Sequence, residues 1–287
     1  MPIQPQAPWG LARISHRPQL SFKTLNRYEY NERPGAGVDV YLLDTGIAID
    51  NVDFEGRAYG GFVVTGEDID DDNGRGTHLA GIVAGLKHGV AKHAVVHSVK
   101  VADSQGAAEP KDIIRGLEWA LAHTKERGGP SVALLGACLP PDAALDAQVN
   151  AAVEQGLFVV VPAGDENKDA GDLSPARAAG AFTVGASNVR DERTHFSNYG
   201  PAVDIFAPGE GILSTHIGSP TSTTRLDGTA QAAAHVAGLA AYLLSTVENV
   251  TTSTIRDTII ALASKDMLSD VPENTCNLLA FNNAITS

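Results

Sequence analysis

Three short stretches of the 287-residue chain combine side chains able to move protons with glycine turns able to aim them. Leu43-Asp44-Thr45-Gly46 puts a carboxylate at the end of an apolar run, where a strand would pass into a turn. Gly74-Arg75-Gly76-Thr77-His78-Leu79-Ala80-Gly81 leads glycines into a helical period, with His78 in its first turn. Leu226-Asp227-Gly228-Thr229-Ala230-Gln231 makes a second glycine turn, into a helix that continues through His235 to Gly238. A carboxylate beside an imidazole is the outline of general-base chemistry near neutral pH. Taken singly, the three stretches read as a turn aspartate, a packed histidine and a buried helix. Any chemistry requires that they converge, and open α/β sheets gather such loops at the carboxyl ends of their strands.

The rest of the chain has the alternation that such a sheet needs. Short β-branched runs at 38–43, 95–101, 132–135, 158–161, 182–185 and 203–206 predict strands. Between them, Ile113, Ile114, Leu117, Ala120 and Leu121 form one apolar face of a helix that stops near Gly128-Gly129-Pro130. Pro141 suits a helix start, and the Ala/Val-rich stretch after it ends at Gly156. From Thr229 so many residues are small that the helix is expected to be buried on all sides, and a last amphipathic helix spans 252–263. The pattern predicts an α/β fold with a mostly parallel central sheet flanked by helices on both faces. No repeat, low-complexity tract or linker interrupts it, so a single domain over 1–287 is expected.

Composition narrows the partners. Lys+Arg 21 against Asp+Glu 34 gives a net charge of −13, which opposes nucleic acid and anionic membranes and favours neutral or cationic ligands. Hydrophobic residues at 43% supply a real core, and two cysteines exclude a four-cysteine zinc site. No run approaches about 18 apolar residues, and Met-Pro-Ile-Gln-Pro-Gln has neither the charged nor the apolar part of a signal peptide.

In order and spacing, the three stretches resemble the subtilisin-like serine proteases, and most closely their proteinase K branch. Ala7-Pro8-Trp9-Gly10-Leu11-Ala12-Arg13-Ile14-Ser15, Phe54-Glu55-Gly56-Arg57-Ala58, Phe196-Ser197-Asn198-Tyr199-Gly200 and Asn277-Leu278-Leu279-Ala280 extend the resemblance almost end to end. It implies a subtilisin-like fold and places Asp44 on the triad aspartate and His78 on the triad histidine. The nucleophile is missing: where the family reads Gly-Thr-Ser, this chain reads Gly228-Thr229-Ala230, and a methyl group cannot attack a carbonyl. The family's oxyanion asparagine is here Asp165, within Pro162-Ala163-Gly164-Asp165, a replacement that some members share. Arg75 stands for the first histidine of Gly-His-Gly-Thr-His, and Ala234 for the proline before His235. An engineered Ser-to-Ala trap would change one residue and leave Asp165, Arg75 and Ala234 unexplained.

With that fold, Asp44 is expected to orient His78 as a general base over Ala230, with Asp165 facing the same space and raising the imidazole's pKa. This suggests a protease fold repurposed for proton transfer on a small molecule, such as isomerisation, condensation or cyclisation. The competing reading is an inactive pseudoprotease that holds a peptide or protein in the old cleft. Leu134-Leu135-Gly136-Ala137 resembles the family's substrate-pairing Ser-Leu-Gly-Gly, so Leu135, Gly136 and Ala137, with Gly164 and Thr229, are expected to meet the ligand. Acidic composition and Asp165 point to a ligand with a basic nitrogen.

No motif for a nucleotide, flavin or haem is present, and no cofactor is expected for the chemistry. Asp204 falls on a carboxylate that in proteinase K relatives binds structural calcium, which would place the carbonyls of Ala179 and Ala181 beside it. Asp68-Ile69-Asp70-Asp71-Asp72-Asn73-Gly74 departs from EF-hand spacing and is expected to be an exposed acidic loop. Cys138 and Cys276 miss the branch's disulfide positions and are expected to be buried small hydrophobes. Their absence from a disulfide favours an intracellular protein, or a secreted one if a signal and propeptide have been removed.

Overall fold

Runs of β-branched residues become buried strands where helices cover both faces of a sheet, which is what the sequence alternation requires. The computed structural model of the protein describes residues 1–64 and 68–284. The first half contains β1 (Ile3–Pro5), α1 (Trp9–Ile14), β2 (Arg27–Glu29), β3 (Asp39–Asp44), β4 (Ala58–Val63), α2 (Arg75–Ala84), β5 (Val95–Lys100) and α3 (Pro110–Arg127). It continues with β6 (Ser131–Leu135), α4 (Ala143–Glu154), β7 (Phe158–Pro162), β8 (Phe182–Ser187), β9 (Ile205–Pro208) and β10 (Ile212–Thr215). The last part holds β11 (Thr223–Leu226), α5 (Thr229–Thr246), α6 (Ile255–Leu262), β12 (Ser264–Lys265) and β13 (Leu278–Leu279).

Nine strands pair in the order β12-β13-β9-β8-β7-β6-β3-β5-β4, all parallel except β12. Along β3, Val40 and Leu42 join the core on one face while Tyr41 and Leu43 join the core on the other. The chain visits β4 and β5 on one side of β3 and then β6 to β9 on the other. That reversal opens a crevice at the carboxyl end of β3, the position where open α/β sheets bind ligands.

The helix from Thr229 is buried along most of its length and packs against α2 and strands β6 to β9. Its small residues permit that approach: a Cβ at Gly238 would press on Val90 and on the backbone of Val83. Two expected elements shift. The strand at 203–206 forms as Ile205–Pro208, and the helix at 252–263 forms as Ile255–Leu262. Strand β4 escapes a β-branched pattern because Gly60 and Gly61 occupy its middle, where Gly61 lies under the Trp119 ring. The acidic loop is not uniformly exposed. Asp71 is buried and accepts hydrogen bonds from Thr45 Oγ1 (2.8 Å), Gly74 N (2.8 Å), Thr77 N (2.8 Å) and Thr77 Oγ1 (2.6 Å). It thus fixes the start of α2 against the end of β3.

Candidate functional site

Asp44 ends β3 with its carboxylate buried, and the residue facing it is Arg75. Arg75 Nε lies 3.0 Å from both Asp44 oxygens, and the Thr45 amide donates to Asp44 Oδ1 at 2.7 Å. The Asp44 charge raises the Arg75 pKa further above its ordinary value, against the effect of burial. A guanidinium has no lone pair to offer, so this pair carries charge but no base.

The expected Asp44–His78 pair does not form. His78 is fully buried and turns its Nε2 to the backbone oxygens of Ile212 (2.9 Å) and Thr224 (3.3 Å), in the β10–β11 hairpin. Its Nδ1 meets no hydrogen-bond partner among the described residues. Burial pushes the ring down to about 4, opposite to the expected rise. The physical reason is helix geometry. Arg75 is the first residue of α2 and lies over Asp44, whereas His78 is three residues on, about 4.5 Å further along the axis and turned to the hairpin. In a triad the aspartate orients the base through a hydrogen bond, so the base position here belongs to Arg75.

Ala230, which shares a cleft with Arg75, lies in the first turn of α5 and is almost fully buried. The turn is built on Gly228, where a Cβ would press on Gln231 Oε1 and meet Asp165 Oδ2. Asp165 Oδ1 accepts from Thr229 N at 2.7 Å, and Thr229 Oγ1 accepts from Gly164 N at 3.0 Å. Asp165 therefore does face the space above Ala230. Crowding by neighbouring atoms raises its carboxyl pKa, while the Thr229 amide opposes the rise and the side chain's exposure to solvent limits it.

Arg75, Asp165 and Ala230 line a cleft of about 770 Å³, together with Gly136, Ala137, Gly164 and Thr229 from the expected ligand-facing set, while Asp44 and His78 lie behind its lining. Leu135 is not among them. Helices cover both faces of the sheet, so strand alternation sends Leu134 into one core and Leu135 into the other, beneath α3. Gly136 instead packs on the catalytic-type carboxylate, and a Cβ there would overlap Asp44 Oδ2. One wall is apolar, from Leu139, Pro140, Pro141 and Leu173; the other polar groups include Glu166, Lys168, His216 and Asp227. His216 was missed by the sequence reading, and no local pattern marks it: it follows β10 and reaches the cleft only through the hairpin fold. Cys138 also lines the cleft, half-buried, with its thiol donating to Pro162 O at 3.0 Å and burial raising its pKa strongly. Cys276 is likewise free and half-buried, so neither cysteine is fully enclosed as expected.

The calcium position fails a fit test. Asp204 Oδ1 is 2.6 Å from Arg256 Nη1, and Arg256 Nη2 donates to the carbonyls of Gly180 and Ala181. A side-chain cation thus engages two of the three oxygen donors expected for a metal, the Asp204 carboxylate and the Ala181 carbonyl, with Gly180 O in place of the Ala179 carbonyl. Among the described residues, no group of three or more His, Cys, Asp or Glu is placed to hold a metal ion, and no helix is long and apolar enough to cross a membrane.

Comparison with known proteins accords with this architecture. The chain is 46% identical over 301 residues to "Alkaline protease 2" of Aspergillus fumigatus, covering 98% of this chain and 61% of that protein. It is 46% identical over 301 residues to "Subtilisin-like serine protease Pen c 2" of Penicillium citrinum, covering 98% of this chain and 66% of that protein. The chain thus spans about three fifths to two thirds of the length of these curated relatives. A solved cold-adapted subtilisin-like serine proteinase superposes with a TM-score of 0.90 at 34% identity, covering 98% of this chain and 100% of that one. The sequence profile of the Subtilase family matches residues 35–278, and the chain belongs to that family.

Proposed function

We propose that this chain is a non-proteolytic subtilase-family protein that holds an extended peptide segment, one carrying a basic side chain, in the cleft without cutting it. The reading rests on Arg75, held on the Asp44 carboxylate, lining the same cleft as Ala230. Its relatives are named as proteases, so the reading turns on what this site has lost. In subtilisin, the type case for this arithmetic, removing the nucleophile or the base alone costs roughly 10⁶ in turnover, and the losses do not add. A chain lacking both falls back on what its cleft can bind. The apolar wall suits peptide side chains, and Asp165, Glu166 and Asp227 suit an ammonium or guanidinium.

The test compares hydrolysis of a fluorogenic peptide by the unaltered chain, Ala230→Ser and Arg75→His/Ala230→Ser, alongside anisotropy titrations with fluorescein-labelled lysine-containing peptides. The expected outcome is no hydrolysis by the first two proteins and saturable, salt-weakened peptide binding by the unaltered chain. Hydrolysis by the unaltered chain or by Ala230→Ser would show that Arg75 does not block the base position. Failure of every peptide to saturate would remove the binding reading.

A second reading retains proton-transfer chemistry on a small molecule, in isomerisation, condensation or cyclisation. It is favoured by the raised carboxyl of Asp165 in the cleft and no longer rests on an Asp44–His78 base. In that case Asp165→Asn abolishes turnover of a candidate substrate while its binding survives.

A further inference from the structure

We propose that Arg256 is a built-in replacement for a bound metal ion, so that the corner where β8, β9 and α6 meet is held without calcium. The seat is built from a carboxylate, two carbonyls and an aromatic ring. Asp204, just before β9, accepts from Arg256 Nη1 on Oδ1 at 2.6 Å and from the Thr183 amide on Oδ2 at 2.8 Å. Arg256 Nη2 donates to Gly180 O at 3.3 Å and to Ala181 O. The guanidinium carbon lies 5.2 Å from the centre of the Phe182 ring, within cation–π range.

A divalent cation would need six to eight oxygens at about 2.3–2.6 Å, among them the Asp204 carboxylate and the Ala181 carbonyl that Arg256 already engages. The guanidinium takes their lone pairs, fills the volume between them and adds a positive charge that opposes a second cation. Charge also balances better. One guanidinium neutralises one carboxylate, whereas calcium on the same oxygens would leave an excess charge. Burial pushes the Asp204 carboxyl upward and the Arg256 charge opposes that rise. Arg256 can serve because α6 is anchored on either side of it by the buried Ile255 and Ile259. The cation is delivered by packing of the helix instead of being recruited from solvent.

The experiment measures thermal unfolding of the unaltered chain, Asp204→Asn, Arg256→Ala and Asp204→Asn/Arg256→Ala, each in chelator and in millimolar calcium. The unaltered chain is expected to melt at the same temperature in both. Arg256→Ala is expected to melt roughly 5 °C lower in chelator and to recover part of the loss in calcium, because removing the tethered cation leaves an oxygen-lined seat around a carboxylate. The double substitution is expected to show no recovery. Two results would overturn the proposal: a calcium response of the unaltered chain that Asp204→Asn abolishes, or an Arg256→Ala protein indifferent to calcium. Should Arg256→Ala fail to fold, equilibrium dialysis with radioactive calcium reads the question on the unaltered chain. Bound calcium lost on Asp204→Asn overturns the proposal, and no Asp204-dependent binding supports it.

Discussion

A carboxylate at the end of a buried strand takes its chemistry from the group that faces it, and at Asp44 that group is a guanidinium that keeps its proton throughout the pH range of a folded protein. An imidazole there would exchange protons with a substrate; Arg75 only neutralises the charge. His78, three residues on, is left as a buried ring whose effect is on stability. Its folded value of about 4 lies below the ordinary value of about 6.5. Between these values the unfolded chain takes up a proton that the native ring does not. The His78 contribution is therefore complete above about pH 6.5 and lost as pH falls toward 4, on the order of 3 kcal/mol. His235, also held at about 4 by burial, acts in the same window. Denaturant unfolding of the unaltered chain and His78→Gln at several pH values checks this. The slope of stability between pH 4 and 6.5 is expected to flatten in the variant, and parallel slopes would contradict it.

At the scale of elements, the site depends on how closely the ends of β3, β6 and α2 approach. Gly136 follows β6 and lies against the Asp44 carboxylate, where a methyl group would overlap Oδ2 and touch Leu79. Gly136→Ala is expected to cost about 1–3 kcal/mol by overpacking and to loosen the Asp44–Arg75 pair. A melting curve reads the first effect, and an unchanged melting temperature would mean that the strand end shifts freely. The same closeness explains why α2 was legible as a helix while its direction was not. Glycine punctuation and apolar period mark 75–84 as helical, but Asp71, buried against Thr45 and Thr77, sets the angle at which the first turn meets β3. That contact joins groups 26 residues apart.

Across the whole molecule, one ion pair ties the chain's beginning to its far half. Arg13, fully buried in α1, donates from Nε to Asp191 Oδ1 at 2.6 Å and from Nη2 to Oδ2 at 3.1 Å, across 178 residues of sequence. Removing one partner leaves a buried charge uncompensated, which typically costs roughly 3–5 kcal/mol. Arg13→Met and Asp191→Asn are each expected to lose stability on that order in urea unfolding, and the double substitution less than the sum of the two. Strict additivity would mean that the pair is not coupled. Arg13 falls in a stretch that resembles the family's N-terminus, yet nothing local marks its partner. Asp191 is one of many loop acids until the fold closes.

The sequence by itself determined the parallel sheet and its helices, the burial of α5, and the absence of a nucleophile at Ala230, because residue identity and local period are properties of neighbours along the chain. It also placed Asp44 at a strand end, and the family resemblance brought Asp165 and Gly136 to the same cleft. Only the tertiary structure decided that Arg75 faces Asp44 in place of His78, that Leu135 points inward, that His216 enters the cleft, and that Arg256 takes the position expected for a metal. Each of those outcomes is a direction, not a residue type. A side chain's direction is set by strand register and by the angle at which a helix begins, and both are fixed by contacts between segments far apart in the chain.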